Sequence, residues 1–161
     1  MGCGEFVAVF GHIFEHSDWI TARVWSVGLT SRDDTVTGLF SSFVDVIEGA
    51  GREPQLRLLR AHPELAGRVS RRKNLTGDSQ KEQAKAGLQD CSEEEFTEFC
   101  ELNRVYNDKF GFPFILAVGD RNREEILEIF RSRLVNEEED EFAEALQQVY
   151  RIGYLRLHQI E

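Results

Sequence analysis

The chain has 161 residues, of which 41% are apolar and 30% charged, a composition typical of a folded globular protein. This length predicts one domain over residues 1–161 with its own hydrophobic core. The formal net charge of −10 argues against general nucleic-acid binding, which requires a basic surface.

The three cysteines, Cys3, Cys91 and Cys100, are an odd number without the spacing of a metal site. This pattern favours thiols that are not joined in disulfides, and a reducing compartment. The first residues carry no signal-peptide pattern, and no apolar run approaches membrane-spanning length. We therefore expect a cytoplasmic location.

Apolar residues recur at helical spacing along nearly the whole chain, which predicts about eight helices. The first runs from Phe6 to Ile13, and a second apolar patch contains Trp19 and Trp25. The third helix carries apolar residues from Leu39 to Ile47. Pro54 fits the first turn of a fourth helix, where its missing N–H costs no hydrogen bond.

Candidate capping residues mark the start of the four remaining helices. They are Asp78 or Ser79 for a helix ending near Leu88, Ser92 with Glu95 for one ending near Lys109, Asn122, and Asn136 with Glu139. Gly111 follows the second of these helices, as a C-terminal glycine does. The acidic run from Glu137 to Glu141 falls in the first turn of the last helix, where the macrodipole favours negative charge. We predict that it is a solvated cap.

The composition from Phe112 to Val118 is the only one that would suit a strand. One strand has no pairing partner, so we predict an extended or helical segment that lines the core. Gly111 and Pro113 fix its path. The predicted fold is all-α, a compact helical bundle.

His62 is the first candidate for chemistry, because it precedes Pro63 and must leave helical geometry. It would lie at the C-terminus of the fourth helix, where partial negative charge stabilises an imidazolium. Such a histidine is suited to donate a proton near neutral pH. Taken alone, a helix-capping histidine without further function is the more frequent case.

A second candidate group lies on the predicted helix from Ser79. Ser79, Glu82 and Gln83 are three and four residues apart, so one helix face presents a hydroxyl, a carboxylate and an amide. This set suits a small ligand rich in hydrogen-bonding groups. Ser79 and Glu82 also fit a capping box, and spacing alone does not favour either interpretation.

Two further patterns carry weaker hypotheses. His12 and His16 form an i, i+4 pair near Glu15, but no third metal ligand follows at convincing spacing. Arg133 lies late in a helix, where it would either complement the dipole or bind an anion. No phosphate-binding loop or dinucleotide fingerprint is present in the sequence.

At these residues the sequence resembles the family of OHCU decarboxylases, which act on 2-oxo-4-hydroxy-4-carboxy-5-ureidoimidazoline in purine breakdown. The resemblance extends in order along nearly the whole chain. It rests on residues 10–19, 59–67, 75–83, 86–88, 102–115, 133–136 and 156–158. Departures are small: His12 stands where Gly is common, Asp18 where Pro is common, and Glu64 where Asp is commoner.

The resemblance implies an all-α homodimer that forms (S)-allantoin from a small-molecule substrate without metal or organic cofactor. By position, His62 matches the catalytic histidine of the family and Glu82 its partner carboxylate. The implied substrate-binding residues, with Arg133 added as a candidate anion clamp, are Pro63, Ser79, Gln80, Lys81, Gln83, Phe114, Ile115, Leu116, Ala117, Val118 and Arg133. The basic cluster from Arg68 to Lys73 would attract an anionic substrate or form a solvated loop.

Two alternatives remain open from the sequence. A helical protein-interaction module would use His62 and Glu82 only as capping residues and would have no turnover. An enzyme for a related ureide would keep both residues but react slowly with the ureidoimidazoline.

Overall fold

The computed structural model describes residues 1–65, 78–79, 81–82 and 91–160. Within them there are seven α-helices and two short 3₁₀ turns with defined ends, residues 78–79 and 81–82 are also helical, and no strand occurs. The helices are α1 (Cys3–Phe10), α2 (Trp19–Val27), α3 (Val36–Ala50), α4 (Arg52–Arg60), α5 (Glu93–Phe110), α6 (Arg123–Leu134) and α7 (Glu138–His158).

The chain divides into two compact units, and α7 contributes residues to both. The first unit comprises Met1–Ala61 and Val149–Glu161, and the second comprises His62–Gln148. The all-α prediction is confirmed, whereas the single domain over residues 1–161 stays a prediction.

The first unit packs α1 to α4 and the end of α7 around aromatic and branched side chains. Phe14, Phe43 and Ile47 are fully buried there, and the rings of Phe14 and Phe43 meet edge to face. A buried ion pair joins Arg156 Nη2 to Glu15 Oε1 at 3.1 Å. Tyr150 donates its hydroxyl hydrogen to Glu48 Oε1 at 2.6 Å. Polar bonds thus fix the end of α7 within this unit.

A close backbone approach explains the glycine in the first turn of α3. A Cβ at Gly38 would lie 1.8 Å from the carbonyl oxygen of Arg32, which is backbone and cannot rotate away. The Gly38 N–H also donates to Thr35 Oγ1, the N-cap of the helix. Gly38 therefore lets the 3₁₀ turn Ser31–Asp34 pack against α3.

We expect Gly38→Ala to destabilise the protein by about 1–3 kcal/mol, because overpacking forces the backbone to shift. Urea denaturation of the variant gives this value directly. Gly49→Ala is the matched control, since a Cβ at Gly49 meets nothing within 4 Å. Equal stability of the two variants would contradict the steric explanation.

In the second unit, α5 leads into a buried aromatic segment. Ser92 caps α5, because its Oγ accepts a hydrogen bond from the Glu95 N–H. The Glu95 side chain accepts a hydrogen bond from the Ser92 N–H, as the capping-box pattern predicts. Gly111 ends the helix with a φ of +77°, a left-handed conformation that suits glycine. The chain then continues without helix, turn or bend from residue 113 to residue 118. Every residue from 112 to 118 is buried.

Some predicted helix ends differ from the observed ones by a few residues. α1 ends at Phe10, and Gly11–Ile13 forms a 3₁₀ turn in place of a continued helix. α7 begins at Glu138, one residue later than a cap at Asn136 predicts, whereas α4 begins at Arg52 with Pro54 inside its first turn, as predicted. Helices of the described ranges are all too short or too polar to cross a membrane.

Candidate functional site

His62 is the first residue of the second unit and follows α4 after Ala61, which caps that helix. Its side chain is buried at 7% relative exposure, and Pro63 beside it is half-buried. The side chain of Asn103, on α5, donates Nδ2–H to the Leu65 carbonyl at 2.9 Å. This bond ties the loop from His62 to Leu65 to α5 and so restricts the path of the backbone that carries the histidine.

The second candidate group is partly described. Asp78, Ser79, Lys81 and Glu82 have helical backbone, as the sequence predicts. Ser79 is buried, Glu82 is half-buried and Lys81 is exposed, so the face shared by Ser79 and Glu82 is the one turned inward. Gln80, Gln83 and the basic cluster at residues 68–73 lie outside the described residues.

The segment from Phe114 to Val118 is a buried wall with backbone groups held by side chains. The Ala117 N–H donates to Gln148 Oε1 at 3.0 Å, and the Ala117 carbonyl accepts from Arg121 Nη1 at 2.8 Å. The Ile115 carbonyl accepts a short hydrogen bond from Arg133 Nη1. This part of the prediction is confirmed, because the segment lines the core of the second unit without forming a strand.

Arg133 is buried in a hydrogen-bonded cluster with Glu141. Its Nε and Nη2 atoms lie 2.7 and 2.5 Å from Glu141 Oε1, and its guanidinium carbon is 4.5 Å from the centre of the Phe114 ring. Tyr106 donates to the same carboxylate oxygen at 2.5 Å, and Asn136 Nδ2 donates to Glu141 Oε2 at 3.0 Å. Three side chains from three different segments, those of Tyr106, Arg133 and Asn136, thus converge on one buried carboxylate.

The prediction of a solvated acidic cap is wrong for Glu141. Residues 137–140 are exposed, but Glu141 has 0% relative exposure. Ala145 and Gln148, one and two turns further along α7, are buried on the same side. Glu141 therefore belongs to the core-facing stripe of the helix, and its charge is compensated by Arg133 and two neutral donors.

The two tyrosine–carboxylate bonds, Tyr106 to Glu141 and Tyr150 to Glu48, predict a measurable pH dependence. Burial, followed by the hydrogen bond to Glu141, raises the pKa of Tyr106 well above its ordinary value near 10. Burial and the bond to Glu48 raise the pKa of Tyr150 in the same direction. The folded protein therefore keeps both protons where the unfolded chain releases them.

We expect the resulting stabilisation to be complete below about pH 10 and to decline as the pH rises further. Absorbance at 295 nm should reveal fewer ionised tyrosines at pH 11 in the native protein than in the protein unfolded by guanidinium. The urea midpoint should fall between pH 9 and pH 11. Ionisation of all three tyrosines near pH 10 in the native state would contradict the effect of burial and of these bonds on the two tyrosine pKa values.

All predicted site residues that the structure describes belong to the second unit. Within this unit Arg133, Phe114 and Ile115 are in direct contact. His12, Glu15 and His16, the weak metal hypothesis, belong to the first unit. No three side chains of His, Cys, Asp or Glu are arranged to hold a metal ion in the parts of the chain that the structure describes.

Sequence reasoning missed four polar residues that support the candidate site: Asn103, Tyr106, Glu141 and Gln148. Each lies on the apolar face of a helix, where a polar side chain needs a buried partner. The periodicity of α5 and α7 carried this signal. The hydrogen-bond partners of these four side chains could not be predicted, because most of them are distant in sequence.

Comparison with known proteins places the chain among its relatives. The family model described as OHCU decarboxylase matches residues 1–158. The chain is 41% identical to the 2-oxo-4-hydroxy-4-carboxy-5-ureidoimidazoline decarboxylase of Haloferax volcanii, over 95% of this chain and 87% of that protein. It is 39% identical to the uric acid degradation bifunctional protein of Bacillus subtilis, over 93% of this chain but only 29% of that protein.

A solved structure agrees with this assignment. The crystal structure of an (S)-allantoin synthase matches with a TM-score of 0.76 and 26% sequence identity, covering 99% of this chain and 51% of that one. The match of fold extends over the same length as the match of sequence. The chain belongs to the OHCU decarboxylase family.

Proposed function

We propose that this protein catalyses the decarboxylation of 2-oxo-4-hydroxy-4-carboxy-5-ureidoimidazoline to (S)-allantoin, a step of urate breakdown, without a cofactor. The observation that carries the proposal is the 41% identity, nearly end to end, with a relative named for this activity. The buried His62 beside Pro63 supports it, since it supplies a shielded proton donor within the second unit.

The chemistry of the substrate explains why no cofactor is needed. The carboxylate leaves from a carbon next to an electron-poor imidazoline ring. When this carbon–carbon bond breaks, CO₂ departs and the electron pair is delocalised into the ring. One proton must then be added to the ring, and the face that receives it determines the configuration of the product. The enzyme has to orient the carboxylate out of the ring plane and deliver that proton.

We assign the role of general acid to His62, and we propose that Glu82 is its partner carboxylate. A histidine with 7% exposure exchanges little with bulk water, which suits delivery of a proton to one face only. Glu82 is half-buried on the same helix face as Ser79, as a carboxylate that orients an imidazole within the site would be. The proposed role of Glu82 is to keep the imidazole protonated and in place.

The proposed substrate-binding residues provide hydrogen bonds and an apolar wall. We propose that Pro63, Ser79, Gln80, Lys81 and Gln83 bind the ureido group and the ring of the substrate. Backbone groups of the wall from Phe114 to Val118 complete the site. Arg133 binds the backbone of this wall at the Ile115 carbonyl. The buried rings of Phe112 and Phe114 exclude water, which favours loss of the carboxylate charge.

The proposal is tested by forming the substrate in place from urate with urate oxidase and hydroxyisourate hydrolase. Circular dichroism then follows the appearance of optically active (S)-allantoin. We expect rapid formation of one enantiomer with the protein and slow racemic product without it. Racemic product at the background rate would exclude the activity and favour a protein-interaction module, or an enzyme for another ureide.

We also propose that the protein is a cytoplasmic homodimer. The family resemblance supports the dimer, and the odd number of cysteines supports a reducing compartment. Light scattering coupled to size-exclusion chromatography should give twice the chain mass of 18.5 kDa. A mass equal to one chain at micromolar concentration would contradict the dimer.

A further inference from the structure

The run from Phe114 to Val118 has one backbone edge that is already occupied. In a straight, extended run the N–H and C=O groups of one residue point to the same side, and those of its neighbours point to the other. Ile115 and Ala117 therefore share an edge. Their groups bind Arg133, Gln148 and Arg121, all through side chains.

The opposite edge has a different character. Leu116 is buried at 6% exposure and Phe114 at 1%, so water does not reach their backbone freely. Among the described residues, the N–H and C=O groups of Leu116 have no hydrogen-bond partner. Buried backbone groups are almost always paired, and leaving them without a partner costs free energy. A ligand that supplies one donor and one acceptor side by side would satisfy both groups.

The occupied edge is anchored by the buried ion pair. Glu141 holds the Arg133 guanidinium through two nitrogen atoms, which leaves Nη1 directed to the Ile115 carbonyl. Tyr106 and Asn136 in turn fix the Glu141 carboxylate. The planar guanidinium has donors in fixed directions, so this arrangement determines the rotation of the peptide plane after Ile115.

We infer that Glu141, Arg133 and Gln148 are positioning residues that hold the Ile115–Ala117 edge, so that the Leu116 N–H and C=O bind the ureide amide of the ligand. This inference rests on the proposed function and deepens it. A ureide carries N–H and C=O groups on adjacent atoms, which match the donor and acceptor of one extended residue. Arg133 then acts on the substrate through the backbone of the wall.

Nuclear magnetic resonance of the labelled protein, titrated with (S)-allantoin as the probe, distinguishes the two edges. We expect the Leu116 amide proton to shift with saturation as the ligand binds, because it gains a hydrogen-bond acceptor. The Ala117 amide proton should change little, since it remains bound to Gln148. A saturating shift of Ala117 with an unmoved Leu116 would overturn the inference.

Matched tyrosine variants test the anchoring cluster. Tyr106→Phe and Tyr150→Phe each remove one phenol–carboxylate bond, but only Tyr106 bonds to Glu141. We expect Tyr106→Phe and Glu141→Gln to weaken (S)-allantoin binding on the order of tenfold and to raise KM more than they lower kcat. Tyr150→Phe should lower stability without changing the dissociation constant.

The outcomes separate this inference from the proposed function. Turnover with equal ligand affinity in all three variants, at lowered stability, would leave the cluster a purely structural role and overturn the inference alone. Absence of both turnover and allantoin-induced shifts in the wild-type protein would overturn the proposed function and the inference with it. A selective loss of affinity in Tyr106→Phe and Glu141→Gln, together with the Leu116 shift, would support both.

Discussion

Replacing His62 by alanine is expected to reduce formation of (S)-allantoin by about 10²- to 10⁴-fold, the usual contribution of a positioned general acid. The product that still forms should be racemic, because protonation then takes place from solvent. Glu82→Gln should keep the size of the side chain but lose its charge, and we expect at least about a tenfold loss of rate. The coupled urate assay with circular dichroism measures both quantities.

The control for this prediction is His12→Ala. His12 is exposed and belongs to the first unit, so its removal should leave the rate unchanged. Thermal unfolding of each variant establishes that it is folded at the assay temperature. A folded His62→Ala protein that still forms (S)-allantoin rapidly and as one enantiomer would rule out His62 as the acid.

Truncating the buried carboxylate is expected to have the largest effect on stability. Glu141→Ala should cost about 3–5 kcal/mol, because it leaves the buried guanidinium of Arg133 without its counter-charge. For a chain of this size the melting temperature should fall by roughly 10 °C. Urea unfolding at neutral pH gives the free energy, and differential scanning calorimetry gives the temperature.

The adjacent acidic run supplies a matched control. Glu138→Ala removes the same functional group from the first turn of the same helix, but at an exposed position. Only the interaction with the helix dipole is lost there, about 0.3–1 kcal/mol. Similar costs for Glu138→Ala and Glu141→Ala would show that the buried cluster contributes little to stability.

This pair of variants also separates stability from function. In the part of the chain that the structure describes, Glu138 forms no hydrogen bond or ion pair with the cluster around Arg133, so its removal should not affect ligand affinity. Glu141→Gln should affect both stability and affinity if the Ile115 carbonyl has to be held in place. The two measurements together locate the effect at the wall formed by residues 114–118.

Local signals in the sequence were sufficient for the N-termini of α5 and α6 and for the C-terminus of α5. Ser92 with Glu95, Asn122 and Gly111 act within one turn of the chain, where the backbone groups to be capped are neighbours in sequence. The core-lining segment after Gly111 was also predictable as something other than a strand, because a lone apolar segment interrupted by Pro113 has no strand to pair with. The sequence left open whether this segment is extended or helical. The observed end of α1 differs from the predicted one because tertiary packing determines where an α-helix ends and a 3₁₀ turn follows.

The sequence by itself determined the all-α class, the caps of α5 and α6, the family and the candidate residues His62 and Glu82. Only the tertiary structure decided that Glu141 is buried while its four acidic neighbours are exposed, and that Arg133 binds it together with the Ile115 carbonyl. The reason is the range of the interactions. Caps and periodicity act over three or four residues, whereas the partners of a buried charge are brought together from three separate segments by packing of the core.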